Sequence, residues 1–136
     1  MTKTVATNKS LRAKGLVFLV LVALGALGKW GFERCEVDGP SMLPEFQPGD
    51  RVLLRRRRPR ATLRPGTVVA FTDPRPHHDK LLIKRVVSID DGEVEVLGDN
   101  PVSSTDSRTF GPVPLEDITW IVLRRYARAS DVAHAR

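Results

Sequence analysis

Residues 67–97 read TVVAFTDPRPHHDKLLIKRVVSIDDGEVEVL, and this stretch decides the fold class. Thr67–Phe71, Leu81–Ile89 and Glu93–Leu97 are β-branched-rich runs of strand length. Asp90-Asp91-Gly92 separates the last two and carries the turn chemistry of a hairpin. The same pattern extends outward. Arg51–Arg55 (RVLLR) follows Pro48-Gly49-Asp50, Pro65-Gly66 precedes the central stretch, and Ile118–Leu123 (ITWIVL) closes it. The expectation is a mainly β chain: a small antiparallel β-domain over residues 35–124, followed by a polar, frayed tail over 125–136.

Composition agrees with this reading. Aromatics are only 6% of the residues, against ten glycines and ten prolines, which favours short strands and turns over long packed helices. The formal charge of +6 admits nucleic acid or anionic lipid as a partner and does not choose between them. Arg51, Arg55 to Arg58, Arg60 and Arg64 form a basic cluster. It reads either as a solvated loop framed by Pro59 and Pro65, or as a contact with lipid headgroups. No recognition-helix pattern and no aromatic interleaving accompany it, so nucleic acid is not expected. Cys35 is the single cysteine, so no intramolecular disulfide can form, and nothing beside it would activate a thiol.

Upstream of the β-domain, Lys3, Lys9, Arg12 and Lys14 precede an apolar run from Gly15 to Gly28 (GLVFLVLVALGALG). Extended through Lys29, Trp30, Gly31 and Phe32 it is short for a membrane span but workable, with Lys29 snorkelling and Trp30 at the interface. The expectation is a single transmembrane anchor within residues 1–34. The basic N-terminus would lie in the cytoplasm and the β-domain on the outer face of the cell membrane. The arginine cluster places positive charge on the second flank and weakens that orientation. Ala26-Leu27-Gly28 would serve as the cleavage site of a signal peptide, and a buried core helix is the third reading.

Two residues suggest chemistry. Lys84 sits mid-strand, on the face that alternation gives to Leu82 and Val86. A lysine on an apolar face loses charge stabilisation, and its neutral amine is a competent general base; the plainer reading is an exposed lysine guarding a strand edge. Ser41 lies in Gly39-Pro40-Ser41-Met42-Leu43-Pro44, a tight segment that presents a side chain away from regular pairing. It is not the nucleophile elbow of the α/β-hydrolases, because Leu43 stands where that turn needs glycine. A Ser-His-Asp triad lacks support: His77 and His78 share a proline-bounded loop and His134 is in the tail. A serine activated by a lysine fits better. Gly98-Asp99-Asn100, with Ser104, Asp106, Ser107 and Arg108, forms a long polar loop in which Asp106 and Arg108 are close enough to pair.

Taken in order, VDGPSMLPEFQPGDRVLL around Ser41, LLIKRVV around Lys84, and GDNPVSSTDSRTFGPVP from Gly98 to Pro114 resemble the type I signal peptidases, the S26 family. The resemblance covers most of residues 36–123. It implies a serine endopeptidase in which Ser41 attacks the scissile carbonyl and neutral Lys84 takes its proton. Ser104 would hydrogen-bond the Lys84 amine, and Asp106 and Arg108 would form the ion pair that holds the loop. Asp99 and Asn100 would shape the site, with Gly39 and Met42 flanking the nucleophile. The substrate it implies is an extended precursor polypeptide with small residues before the cleaved bond, bound as an added strand. The backbone N–H of Ser41 would help bind the oxyanion, and no metal or cofactor is implied.

Two positions depart from the family's pattern. Gly39 stands where some members carry a serine that donates to the oxyanion, and Glu45 stands where a small hydroxyl residue is commoner. The brevity of the chain and its GPSMLP and GDNP…STDSR wording are most similar to the branch that matures nickel-type superoxide dismutase. The compact inner-membrane proteases of mitochondria look similar too. A general type I signal peptidase, and a non-catalytic membrane-tethered binding module with the same fold, are the alternatives. A stress-repressor type of autoprotease would need an N-terminal DNA-binding helix pair, where residues 1–35 offer an apolar run.

Overall fold

The structure, a computed structural model, describes residues 31–133. The chain divides into two units, Met1–Gly31 and Phe32–Arg136, and the second is the one described here. The expected anchor therefore lies, through residue 30, outside the described residues. Among the described residues no helix is long and apolar enough to cross a membrane.

Among the described residues seven strands make one sheet: β1 (Phe32–Glu36), β2 (Arg51–Arg56), β3 (Val68–Thr72), β4 (Leu81–Asp90), β5 (Glu93–Leu97), β6 (Val113–Pro114) and β7 (Trp120–Ala127). Their order is β1-β2-β7-β3-β4-β5-β6, and every pairing is antiparallel. The expected mainly β, antiparallel class is what is found. The hairpin between β4 and β5 turns at Asp91 and Gly92, both at positive φ (44° and 80°), a backbone that glycine adopts freely and aspartate tolerates.

The strands at the centre are apolar without alternation because both of their faces are covered. Val69 and Phe71 of β3 join Val86, Val94, Val96, Val113 and Ile118 in one buried cluster. Ala70, one residue out of phase, joins Ile83, Val52, Leu54, Val37, Met42 and Phe46 in a second. The two clusters thus meet across β3 and β4, and Lys84 lies between Ile83 of one and Val86 of the other.

Three elements differ from the sequence expectation. Phe32–Glu36, assigned in part to the anchor, is a strand paired residue for residue with β2 from Phe32↔Arg55 to Glu36↔Arg51. The strand expected to end at Leu123 runs to Ala127, so the start of the expected frayed tail lies within the sheet, paired with β2. Arg125 can sit there because it donates to the Asp50 carboxylate at 2.8 Å and to the Glu45 carbonyl at 2.7 Å, which meets its charge at a partly covered position. Finally, the arginine cluster is less of a loop than expected beyond the strand read as ending at Arg55. Arg55 and Arg56 end β2, Arg56 lies over the Trp120 ring, and Arg57 donates to the Ile118 and Leu115 carbonyls at 2.8 and 2.7 Å. Arg58 and Arg60 remain exposed.

Candidate active site

Pro40 opens a single 3-10 turn, Pro40–Met42, where its missing N–H is no loss. Met42 is almost fully buried (1%) in the second apolar cluster, so the turn is pinned by its third residue and Ser41 is carried at the surface of that anchor. The chain then returns through Phe46, also buried, whose N–H donates to the Met42 carbonyl at 2.9 Å. Within the described residues the Ser41 N–H makes no hydrogen bond.

Lys84 approaches from β4, opposite Val69 of β3. Its Nζ donates to Ser41 Oγ at 2.9 Å and to the Ile83 carbonyl at 3.0 Å. Only 3% of the residue is exposed. Burial lowers the amine's pKa from lysine's ordinary value, opposed by the charges of Asp106 and Asp73, which favour the ammonium. The fold therefore brings together two side chains 43 residues apart in sequence, one able to act as a nucleophile and one held toward its neutral form.

The loop from Gly98 to Gly111 closes the site and turns on Asp106, which is fully buried (0%). Its carboxylate accepts from Gly98 N–H (2.9 Å), Ser104 Oγ (2.6 Å), and the Arg108 backbone and guanidinium, the latter at 2.9 and 2.6 Å. Burial alone would push its pKa up. The bonds from Arg108, Gly98 and Ser104 outweigh that and hold the carboxyl well below the usual carboxylate range. Asp106 also caps the short helix Ser107–Phe110, whose Phe110 ring packs edge-on against Phe71 at 6.3 Å.

Each residue of Gly98-Asp99-Asn100 has a separate task. A Cβ at Gly98 would stand 2.7 Å from the Ser41 carbonyl and overlap the Ser104 side chain, so only glycine fits there. Asp99 pairs with Arg85, the neighbour of Lys84, through bonds of 2.8 and 2.7 Å. Asn100 donates its backbone N–H to the Ser41 carbonyl at 2.9 Å and its side-chain amide to the Pro40 carbonyl at 3.1 Å. The expected bond from Ser104 to the Lys84 amine is not made here. The Ser104 hydroxyl goes to the Asp106 carboxylate, a stronger acceptor than an amine and only two residues away. Gly39 has an extended backbone (φ −129°) with open space around it.

A cleft of about 430 Å³ lies between the segment leading into Ser41 and the first half of β4. Among the described residues Leu81–Lys84 pair with β3 on one side only, because β5 joins β4 from Arg85 onward. That half of β4 presents an unpaired strand edge to the cleft. Larger hollows of about 740 and 690 Å³ lie elsewhere and contain neither Ser41 nor Lys84. Cys35 lines the cleft too. Burial and the charges of Glu33 and Glu36 raise its thiol's pKa, which disfavours the thiolate.

The sequence reading did not single out Asp73, which is buried (5%) in the cleft wall and held by Arg75 through bonds of 3.0 and 2.6 Å. Nor did it find Asp50, which accepts from Gln47 N–H, Ala129 N–H and Arg125 and so fixes the turn after Phe46. The Asp-x-Arg spacing of Asp73 and Arg75, the same as that of Asp106 and Arg108, was the available signal for the first. The second depends on β7 and has no local signature.

A family model described as "Signal peptidase, peptidase S26" matches residues 10–96 and 88–125. The chain is also similar to the mitochondrial ATP-independent inner membrane protease subunit 1b of Arabidopsis thaliana, with 33% identity over 111 residues. That match covers 64% of this chain and 65% of the relative, so the chain spans just under two thirds of the relative's length.

Proposed function

The chain belongs to the signal peptidase, peptidase S26 family, and from that premise we propose that it is a Ser-Lys endopeptidase removing N-terminal signal or pro-segments from precursor proteins. The observation that carries this reading is the 2.9 Å approach of Ser41 Oγ to the buried Lys84 Nζ. A serine hydroxyl is a weak nucleophile until a base takes its proton, and a lysine serves as that base only when neutral.

In this mechanism the Ser41 hydroxyl transfers its proton to neutral Lys84 as Oγ bonds to the scissile carbonyl carbon. The carbonyl oxygen becomes an oxyanion, met by the Ser41 N–H. Collapse breaks the peptide bond, and the leaving amine takes the proton from Lys84. Water then deacylates the serine ester, with Lys84 again the base. Asp106, Arg108 and Ser104 hold the loop, and Asn100 fixes the Ser41 turn; these are positioning residues. The substrate adds as an extended strand along the unpaired edge of Leu81–Lys84, where main-chain bonds give affinity and small side chains clear the cleft floor.

The apolar run from Gly15 to Gly28 anchors the enzyme in the cell membrane, with the N-terminus in the cytoplasm and the catalytic domain on the outer face. The relative's name describes an inner membrane protease, which supports a membrane setting. A secretory preprotein and a nickel superoxide dismutase proform are the candidate precursors. The test offers both to wild type, Ser41→Ala and Lys84→Ala in detergent, with product N-termini read by mass spectrometry. Cutting by wild type and by neither variant is the expected result, and the preferred precursor identifies the branch. Equal cutting by the variants contradicts the dyad. No cutting by any form favours a membrane-tethered peptide-binding module.

A further inference from the structure

Asp38 and Lys80 stand on the two walls of the cleft and pair across it, Lys80 Nζ to Asp38 Oδ2 at 3.7 Å. Asp38 is three residues before Ser41, and Lys80 is four before Lys84. Along the β4 side, four residues at ~3.3 Å per extended residue separate Lys80 from Lys84 by about 13 Å of backbone, the reach of about three to four substrate residues.

Both backbones are pinned beside the pair. Val37 N–H donates to the Asp50 carbonyl at 2.8 Å and Gly49 N–H to the Val37 carbonyl at 2.7 Å. On the other wall, Asp73 N–H donates to the Lys80 carbonyl at 2.9 Å. Of the other acidic side chains lining the cleft, Glu36 pairs with Arg51 and Asp73 with Arg75. Asp38 and Lys80, with His78 beside them, are what a bound strand meets. Their side chains are 93% and 76% exposed, so the pair is weak and an incoming strand opens it at little cost.

Resting on the protease reading above, the geometry points to Asp38 and Lys80 as specificity-determining residues. Together they form a charge-balanced bracket that accepts a substrate side chain of either sign about three to four residues from the scissile bond. Lys80 meets an acidic side chain and Asp38 a basic one.

The test is kcat/KM of the full-length enzyme in detergent on extended peptides with alanines before the bond. Each peptide carries a single Glu or Lys at the third or fourth position on either side of the bond. Wild type is expected to cut the Glu and Lys peptides within about two-fold of each other, given matched charges. At one or more of these positions Lys80→Ala lowers the Glu-to-Lys ratio and Asp38→Ala raises it, each by about two- to five-fold. The exchange Asp38→Lys with Lys80→Asp returns the ratio toward wild type. Ratios unmoved at every position, or moved in the same direction by both variants, overturn the inference. A ratio is read so that a partly folded variant remains informative. Ser41→Ala is run alongside. Residual cutting by it sinks the protease reading itself, whereas its inactivity with unmoved ratios sinks only the bracket.

Discussion

The backbone N–H of Asn100 donates to the carbonyl of Ser41 at 2.9 Å, tying the nucleophile's own peptide to a loop 59 residues downstream. The Asn100 side chain adds a second bond, to the Pro40 carbonyl at 3.1 Å. Asn100→Ala keeps the first bond and removes the second. Displacing a positioned nucleophile by a fraction of an ångström costs rate, so kcat should fall about ten-fold with KM little changed. The melting temperature should stay within a few degrees, since one exposed hydrogen bond contributes only about 1 kcal/mol. A fall in stability with kcat retained would mean that Asn100 holds the fold and not the serine.

Gly98 lies under the same peptide. An added Cβ would meet the Ser41 carbonyl at 2.7 Å, and backbone cannot rotate away as the Ser104 hydroxyl can. Gly98→Ala should cost about 1–3 kcal/mol in denaturant unfolding and abolish most activity in the fraction that folds. A Gly98→Ala enzyme of near-normal activity would show that the loop is not closed on Ser41 as described.

Gly39 is the opposite case. Open space surrounds it and its backbone is extended, so a side chain is tolerated. Gly39→Ser should leave unfolding within about 0.5 kcal/mol of wild type. If the new hydroxyl reaches the oxyanion, kcat rises, by up to about ten-fold or more for a well-aimed donor. Unchanged kcat with unchanged stability would place the oxyanion out of reach of this position.

Much of this was legible in the sequence, because the decisive residues are local in pattern. The β4–β5 hairpin announced itself through Asp91-Gly92, and Ser41, Lys84 and Asp106 each sit inside a short motif. What stayed hidden depends on tertiary partners. Phe32–Glu36 is polar at most positions and becomes a strand only because β2 offers it an edge. Arg125 to Ala127 looks like tail until Asp50, far away in sequence, supplies the acceptor for Arg125. The Ser104 hydroxyl had two plausible acceptors, and which one wins follows from the position of Asp106 under Gly98. The cleft's charged bracket unites two segments that carry no shared motif.

Burial of Lys84 also has a consequence for stability. Its folded pKa lies below its unfolded value, so between the two the unfolded chain holds more protons and stability falls as pH drops. Lys84→Met removes this cost. The variant should be inactive yet gain on wild type as pH falls from lysine's ordinary 10.5 through the lowered value, then level off. Urea unfolding across pH reads it directly. A variant that loses ground as pH falls would mean the charged amine is the stabilising form, with Asp106 and Asp73 outweighing burial.

Activation of Ser41 by a buried neutral lysine is read from the pH profile of kcat/KM for the wild-type enzyme on a cleaved peptide. A single ionisation is expected on the acid side, with activity rising through a pKa below lysine's ordinary 10.5 and then reaching a plateau. A rate still climbing past that value would contradict it, because the base would then be an ordinary solvated amine or hydroxide itself.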